Sequence, residues 1–178
     1  MKENYCKGET IYDGKILKLV RDEVVCSNGK TAYREIIRHH GGAGVLCIKD
    51  NKVLLIRQYR YAYDEVIYEI PAGKLEQGED PKEAALREFE EETGNWALDL
   101  QFLSVLYPTV GYSSEKIYLY STENILPSCQ HLDEDEEVEL IWLDLEQVLS
   151  LILEGKINDA KTIAAIELYL LKKRKNLS

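Results

Sequence analysis

Three glutamates, Glu88, Glu91 and Glu92, are spaced so that on a helix their carboxylates share one stripe of the surface. The stretch around them, residues 72–94, contains eight acidic side chains and three basic ones. Like charges three and four residues apart repel one another by about 0.2–0.5 kcal/mol per pair. Hard divalent cations such as Mg²⁺ bind several carboxylates and would relieve this repulsion. The pattern therefore indicates a candidate cation site.

A solvated acidic face is the alternative explanation for such a helix. Here, however, a loop bounded by Gly73 and Gly78 comes directly before the helix, and the loop follows a strand that ends at Pro71. Such a loop offers backbone carbonyls as further oxygen ligands beside an exposed acidic stripe. This context favours metal binding over the solvated face.

A second acidic segment, HLDEDEE, covers residues 131–137. By itself it is typical of a solvated loop, because it has almost no apolar content. Carboxylates that coordinate a metal lose basicity, so a hydrolytic site on the helix would need a base from elsewhere. A loop acid that closes over bound substrate could be that base. Glu134 and Glu136 would lie on one side of an extended segment.

The helix that must carry the acidic stripe has clear ends in the sequence. Asp80 fits the N-cap, Pro81 the first helical position and Glu83 the third position of a capping box. Gly94 fits the C-terminal stop. We therefore predict a helix over residues 81–93, with its apolar side turned toward a core.

Strand patterns occupy most of the remaining chain. An antiparallel set of strands is predicted over residues 10–39, with a hairpin at Asn28-Gly29 between β-rich runs at residues 15–26 and 31–40. Further strands are predicted at residues 44–48, 52–61, 66–70, 100–107, 116–122 and 138–143. Two more helices are predicted at residues 145–154 and 159–175. These elements predict an α/β domain.

The composition excludes several functional classes. At 178 residues the chain suits one domain with a small extension, and a net charge of −10 argues against binding nucleic acid or an anionic membrane. The four cysteines form no Cys-x-x-Cys pair, so we expect reduced thiols and a cytoplasmic location. No apolar run is typical of a signal peptide or a membrane span.

The spacing across the acidic helix resembles the signature box of the Nudix hydrolases. Gly73 is followed after five residues by Glu79, and after seven more by the run REFEEETG at residues 87–94. Asn95 departs from the apolar residue usual there. The runs YREII, QYRY, YEIPAGKLEQGE, GYSSE, LDEDE and INDAKT, in this order, resemble the ADP-ribose pyrophosphatase branch. That branch usually has Ser-Pro-Gly where this chain has Thr109-Val110-Gly111.

The resemblance implies a fold and an assembly. The implied fold is the Nudix α/β/α sandwich with a mixed β-sheet over residues 41–178, preceded by an N-terminal antiparallel β extension over residues 1–40. The implied assembly is a homodimer, in which the extension crosses to the partner and helps to build the substrate site. The implied reaction is hydrolysis of a nucleoside diphosphate linked to another moiety, with ADP-ribose as the leading substrate and AMP and ribose 5-phosphate as products.

The resemblance also implies a role for individual residues. The implied ligands for Mg²⁺, or alternatively Mn²⁺, are the Ala72 carbonyl, Glu88, Glu92 and Glu136. The implied catalytic residues are Glu134 as the base and Glu91 as a group that binds metal or a metal-bound water. The implied substrate contacts are Arg34, Glu35, Arg60, Lys74, Gly111 and Glu115. Arg87 and Glu79 would hold the loop to the helix, and Gly73 would let the backbone turn close to the phosphates.

Two alternatives remain open at this point. The substrate could be a nucleotide sugar or a dinucleoside polyphosphate, because the box recognises the diphosphate rather than the attached group. The domain could also be a nucleotide-sensing module without turnover. The intact set of Glu88, Glu91 and Glu92 disfavours that second alternative, because a binding module would not need all three.

Overall fold

A computed structural model shows the structure of the protein and describes residues 1–132, 134 and 136–176. The chain divides into two compact units. The first consists of Met1–Gly41 with Tyr107–Lys116, and the second of Gly42–Leu106 with Ile117–Ser178. The sequence did not indicate that residues 107–116 belong with the N-terminal segment.

The first unit is built on an antiparallel sheet of three strands. They are β1 (Asn4–Asp13), β2 (Lys18–Val25) and β3 (Thr31–Arg38), paired in the order β1-β2-β3. The predicted β2–β3 hairpin is confirmed, with Gly29 at a φ of 80° in its turn. Residues 4–9 of β1 were not predicted as strand. Every residue of β1 is exposed, so no alternation between buried and exposed positions marks it.

The second unit contains the remaining strands and the three helices of the described residues. Its strands are β4 (Gly42–Lys49), β5 (Lys52–Arg60), β6 (Glu65–Glu69), β7 (Ala72–Lys74), β8 (Asn95–Ala97), β9 (Gln101–Leu106), β10 (Ile117–Thr122), β11 (Ile125–Pro127) and β12 (Val138–Asp144). The main sheet has the order β12-β5-β4-β10-β9, with β6 paired to β5 and β7 paired to β4. β10 runs parallel to β4, whereas the other pairs are antiparallel, so the sheet is mixed.

The helices are α1 (Pro81–Thr93), α2 (Leu145–Leu153) and α3 (Ala160–Asn176), and all three predictions are confirmed. Asp80 caps α1 by accepting hydrogen bonds from the backbone N–H groups of Lys82 and Glu83. Gly94 ends α1 in the left-handed conformation, at a φ of 63°. Within the described residues, no helix is both long and apolar enough to span a membrane.

The core of the second unit lies on both faces of the sheet. Alternate side chains of a strand point to opposite faces, and β4 shows this clearly. Val45 and Cys47 pack in a cluster with Phe89 of α1. Leu46 and Ile48 belong to the cluster that includes residues of α2 and α3. The predicted α/β/α sandwich is therefore confirmed, with α1 on one face and α2 and α3 on the other.

Candidate active site

The loop between β7 and α1 is tied to the helix by Arg87. The Arg87 guanidinium donates to both carboxylate oxygens of Glu79, at 2.9 and 3.1 Å, and to the Lys74 carbonyl at 3.2 Å. Glu79 in turn accepts a hydrogen bond from the Glu76 backbone N–H at 2.8 Å. Arg87 and Glu79 thus hold the loop against the helix, as the resemblance implies.

The same guanidinium also serves two carboxylates of the acidic stripe. Arg87 Nη1 lies 2.9 Å from Glu88 Oε1 and 2.9 Å from Glu91 Oε2. Burial raises the pKa of Glu88, and repulsion from Glu91 and Glu136 raises it further, although Arg87 opposes the shift. The stripe therefore contains more negative charge than Arg87 neutralises.

Gly73 is explained by the Glu88 carboxylate beneath it. A Cβ atom at position 73 would lie 2.0 Å from the Glu88 carboxyl carbon, so a side chain there would displace the carboxylate. Gly73 belongs to β7, and its φ is not among the positive values in the chain. The need for glycine here comes from the close approach of Glu88 rather than from a left-handed turn.

The Glu92 side chain is buried, and the expectation of an exposed stripe is wrong for this residue. Glu92 is only 4% exposed, and its Oε2 accepts the Ala72 backbone N–H at 2.8 Å. Burial raises the pKa of Glu92 to about 8, and repulsion from Glu88 and Glu136 adds to the effect. The stripe is turned this way because the neighbouring residues Ala85 and Phe89 are packed into the core.

The second acidic segment comes close to the stripe. The charge of Glu136 acts on both Glu88 and Glu92, although Glu136 itself is exposed. Glu134 lies in a turn and is exposed. Asp133 and Asp135, the other acids of this segment, lie outside the described residues.

The approach of this segment depends on contacts that the sequence did not indicate. The His131 N–H donates to the Glu91 carbonyl at 2.9 Å, and the Gln130 side chain donates to the Glu92 carbonyl at 2.6 Å. The last carbonyls of α1 have no partner inside the helix, so they accept these bonds. The C-terminal end of α1 thereby anchors the chain just before Glu134.

The residues fit a hard divalent cation in their chemistry. Carboxylates crowd together here, and the pKa values of Glu88 and Glu92 are raised by burial and by their acidic neighbours. Across the described part of the chain, no three acidic, His or Cys side chains already converge as metal ligands. Arg87 occupies oxygens of Glu88 and Glu91, and the Ala72 N–H occupies one of Glu92. These bonds use one oxygen of each carboxylate, so ligation through the other oxygen would not require them to break.

Arg60 belongs to the same unit, at the end of β5. Its Nε and Nη2 donate to the two carboxylate oxygens of Glu69 at 2.5 and 2.8 Å. Its charge also acts on Glu92, so the guanidinium lies near the buried end of the stripe. Lys74, the other predicted substrate residue of this unit, is exposed on β7.

Four predicted substrate residues lie in the first unit. Arg34 donates to both carboxylate oxygens of Glu3, at 3.0 and 2.5 Å, and Glu35 next to it is exposed. Gly111 is exposed, and Glu115 Oε1 lies 3.7 Å from His39 Nδ1.

The chain is similar to known proteins in sequence and in fold. The model of the NUDIX domain family matches residues 38–166. The methanol dehydrogenase activator of Bacillus methanolicus is 42% identical over 169 residues, which cover 93% of this chain and 91% of that protein. The ADP-ribose pyrophosphatase of Bacillus subtilis (strain 168) is 39% identical over 175 residues, which cover 97% and 95% of the two chains. A crystal structure of an ADP compounds hydrolase shares the fold, with a TM-score of 0.87 at 24% identity over 99% of this chain and 96% of that chain.

Proposed function

We propose that this chain, which belongs to the Nudix family, hydrolyses the diphosphate bond of a nucleoside diphosphate linked to another moiety. ADP-ribose is the leading substrate, and AMP and ribose 5-phosphate are the products. The observation that carries the proposal is the crowded carboxylate cluster of α1 beside the Ala72 backbone. The name of the Bacillus subtilis relative supports the choice of ADP-ribose.

Mg²⁺ is the proposed ion, with Mn²⁺ as a substitute. The Ala72 carbonyl and the carboxylates of Glu88, Glu92 and Glu136 would hold it, because all four supply the oxygen ligands that such ions prefer. When bound, the ion supplies charge neutralisation for the diphosphate and activation of the attacking water. Glu88 could ligate the ion through Oε2 while its Oε1 keeps the hydrogen bond to Arg87.

Four of the chain's own groups act beside these ligands in the proposed reaction. Glu134 is exposed in its turn, so its carboxylate can take a proton from water above the acidic stripe. Glu91 is the second candidate base, although Arg87 occupies one of its oxygens. Arg60 and Lys74 bind the negative diphosphate, since the guanidinium and the ammonium both suit phosphate oxygens.

The first unit is proposed to contribute to dimerisation and to substrate contacts. β1 is a ten-residue strand whose residues are all exposed, among them the apolar side chains Tyr5, Ile11 and Tyr12. Long exposed edge strands with apolar side chains are prone to pair with another chain, which supports a homodimer. Arg34, Glu35, Gly111 and Glu115 are proposed to contact substrate.

A cytoplasmic location belongs to the same proposal. All four cysteines lie in the described part of the chain, and each is a free thiol. Thiols that stay reduced are typical of the cytosol.

A substrate screen tests the proposed reaction. The protein is incubated with ADP-ribose, a nucleotide sugar and a dinucleoside polyphosphate, each with Mg²⁺ or Mn²⁺, and the products are separated by chromatography. Release of AMP and ribose 5-phosphate from ADP-ribose, abolished by EDTA, is the expected result. Preferred cleavage of another compound would move the chain to that substrate class, and binding without turnover would identify a sensing module.

Activation of a dehydrogenase is a second candidate function. The observation that favours it is the Bacillus methanolicus relative, whose name describes a methanol dehydrogenase activator. Methanol oxidation by that dehydrogenase, measured with and without this chain, tests the idea. An unchanged rate would leave diphosphate hydrolysis as the function.

A further inference from the structure

A buried carboxylate at the end of β6 pairs with two positively charged side chains. The Glu69 residue is 3% exposed, and both of its oxygens accept hydrogen bonds from Arg60, at 2.5 and 2.8 Å. The ammonium group of Lys161 donates to Glu69 Oε2 as well. Burial alone would raise the pKa of Glu69, but the hydrogen bonds and charges of these two cations lower it. Glu69 is therefore a fixed anion that orients both cations.

Lys161 belongs to the first turn of α3, which is itself held in place. Its ammonium lies 3.1 Å from Asp159 Oδ2. That oxygen also accepts the backbone N–H and the hydroxyl of Thr162, at 2.9 and 2.6 Å. The Thr162 hydroxyl oxygen in turn accepts the Ile70 N–H at 2.8 Å. The start of α3 thus holds both the Glu69 side chain and the backbone that follows it.

This contact lies directly before the candidate metal ligand Ala72. The Pro71 carbonyl accepts the Val45 N–H at 2.9 Å, and the Ala72 N–H donates to Glu92 at 2.8 Å. The segment from Ile70 to Ala72 is thereby fixed at three consecutive residues. These hydrogen bonds fix the position of the candidate metal ligand Ala72 relative to the Glu69 side chain.

Arg60 is oriented by one edge of its guanidinium and keeps the other edge for a ligand. Nε and Nη2 form the edge that Glu69 occupies. Among the described residues, Nη1 has no hydrogen-bond acceptor, and the side chain is 39% exposed. A guanidinium has a rigid fork geometry, so the fixed edge determines where the other edge points.

We infer that Lys161 is a positioning residue, which holds Glu69 so that Arg60 is oriented to bind the substrate diphosphate. This inference rests on the proposed function. Without Lys161, the Glu69 carboxylate would lose one of the two cationic side chains that hold it, so the Arg60 guanidinium bonded to it would be oriented less firmly. The DAKT part of the INDAKT run supplies this turn of α3, so a segment without an assigned role gains one.

A double-mutant cycle between Lys161→Met and Arg60→Ala tests the inference. In the otherwise unchanged protein, Lys161→Met should raise the KM for ADP-ribose about tenfold, the scale of one hydrogen bond between charged groups, and change kcat less than about threefold. In the Arg60→Ala background it should leave KM unchanged, because the two residues act through one contact. An equal rise in KM in both backgrounds, or a fall in kcat alone, would overturn the inference.

Two further variants separate positioning from general damage. Lys161→Arg keeps the positive charge, so its KM for ADP-ribose should be close to that of the parent protein. Lys156→Met is the matched control, because Lys156 pairs with Glu154 in an exposed ion pair and should leave KM unchanged. If Lys161→Met does not fold, Glu69→Gln replaces it in the same cycle, since it weakens the same hold on Arg60 without changing the side-chain shape.

An NMR measurement tests the orientation of Arg60 without turnover. The ¹⁵N-detected Nε–H signal of Arg60 should exchange slowly with water in the parent protein, because the group donates to a buried carboxylate. Lys161→Met should shift this signal and speed its exchange, whereas Lys156→Met should not. An identical signal in the Lys161→Met variant would overturn the inference. Failure of the parent to cleave any diphosphate would instead overturn the proposed function.

Discussion

Two ionic clusters of the second unit differ in how their charges balance. In the first cluster, Arg87 is the one cation that pairs with the carboxylates of Glu79, Glu88 and Glu91 among the described residues, so these pairs leave two negative charges uncompensated. In the second cluster, two cations, Arg60 and Lys161, alternate with two carboxylates, Glu69 and Asp159, and the charges cancel. Glu88 of the first cluster lies against Gly73, and Glu69 of the second lies four residues earlier in the chain.

This difference in charge balance suits the two clusters to different functions. A balanced and buried network holds side chains in fixed positions, because each charge has a partner. A cluster with excess negative charge favours the binding of a cation, because its carboxylates repel one another and a bound cation reduces that repulsion. The first cluster therefore suits metal binding, and the second suits the orientation of Arg60.

The largest expected effect comes from removing the Glu92 carboxylate, which lies beside the first cluster. Glu92→Gln removes a proposed metal ligand while keeping the shape and an acceptor for the Ala72 N–H. We expect kcat/KM for ADP-ribose to fall at least ~10³-fold, because a bound metal contributes several kcal/mol to catalysis. The measurement is initial rate against Mg²⁺ concentration.

The control for this prediction is Glu83→Gln, since Glu83 lies exposed in the first turn of α1. It should keep the parental rate. A Glu92→Gln variant with near-normal turnover at limiting Mg²⁺ would contradict the assignment of Glu92 as a metal ligand. The excess negative charge of the first cluster would then have no assigned function.

A smaller effect is expected at the exposed acids that approach the stripe. Glu134→Gln should lower kcat by about 10²-fold with KM largely kept, which is the scale of general-base catalysis. Glu136→Gln should instead raise the Mg²⁺ concentration needed for half-maximal rate, because the charge of Glu136 acts on Glu88 and Glu92. If both variants cleave ADP-ribose like the parent, the segment is solvated and Glu91 becomes the candidate base.

Local signals made most of the fold predictable. The ends of α1 follow from Asp80, Pro81 and Gly94, whose effects depend only on neighbouring backbone. The hairpin of β2 and β3 follows from Asn28-Gly29 for the same reason. β1 was missed at its start because its exposed residues show no burial period.

The charge balance of the site could not be predicted in the same way. Glu69 and Lys161 are 92 residues apart, and nothing local indicates that they meet. Burial of Glu92 depends on which face of α1 packs against the sheet, and the spacing of the glutamates alone does not decide that. The sequence therefore identified candidate ligands but not the positioning network behind them.

The second cluster predicts a change in binding rather than in chemistry. Arg60→Ala should raise the KM for ADP-ribose about tenfold and lower kcat less, if its contact with the diphosphate is equal in the ground and transition states. The measurement is a full Michaelis–Menten curve at saturating Mg²⁺. An unchanged KM for every diphosphate tested would show that Arg60 serves Glu69 alone.

The smallest expected effect is on the stability of the metal-free protein. The pKa of Glu92 is about 8 in the folded chain, above its ordinary value of 4.5, because burial disfavours the carboxylate. Between these two values the folded state binds a proton that the unfolded state lacks, so stability falls as the pH rises toward 8. Gln at this position cannot ionise and should remove that loss. In EDTA, Glu92→Gln should therefore melt several degrees above the parent at pH 8.5, at roughly 2–4 °C per kcal/mol, and close to the parent at pH 5.

Saturating Mg²⁺ should raise the Tm of the parent more than that of the variant, because a ligand stabilises the state that binds it. An equal difference in Tm at both pH values would show that the buried carboxylate carries no charge penalty, and the contrast between the two clusters would then not extend to stability.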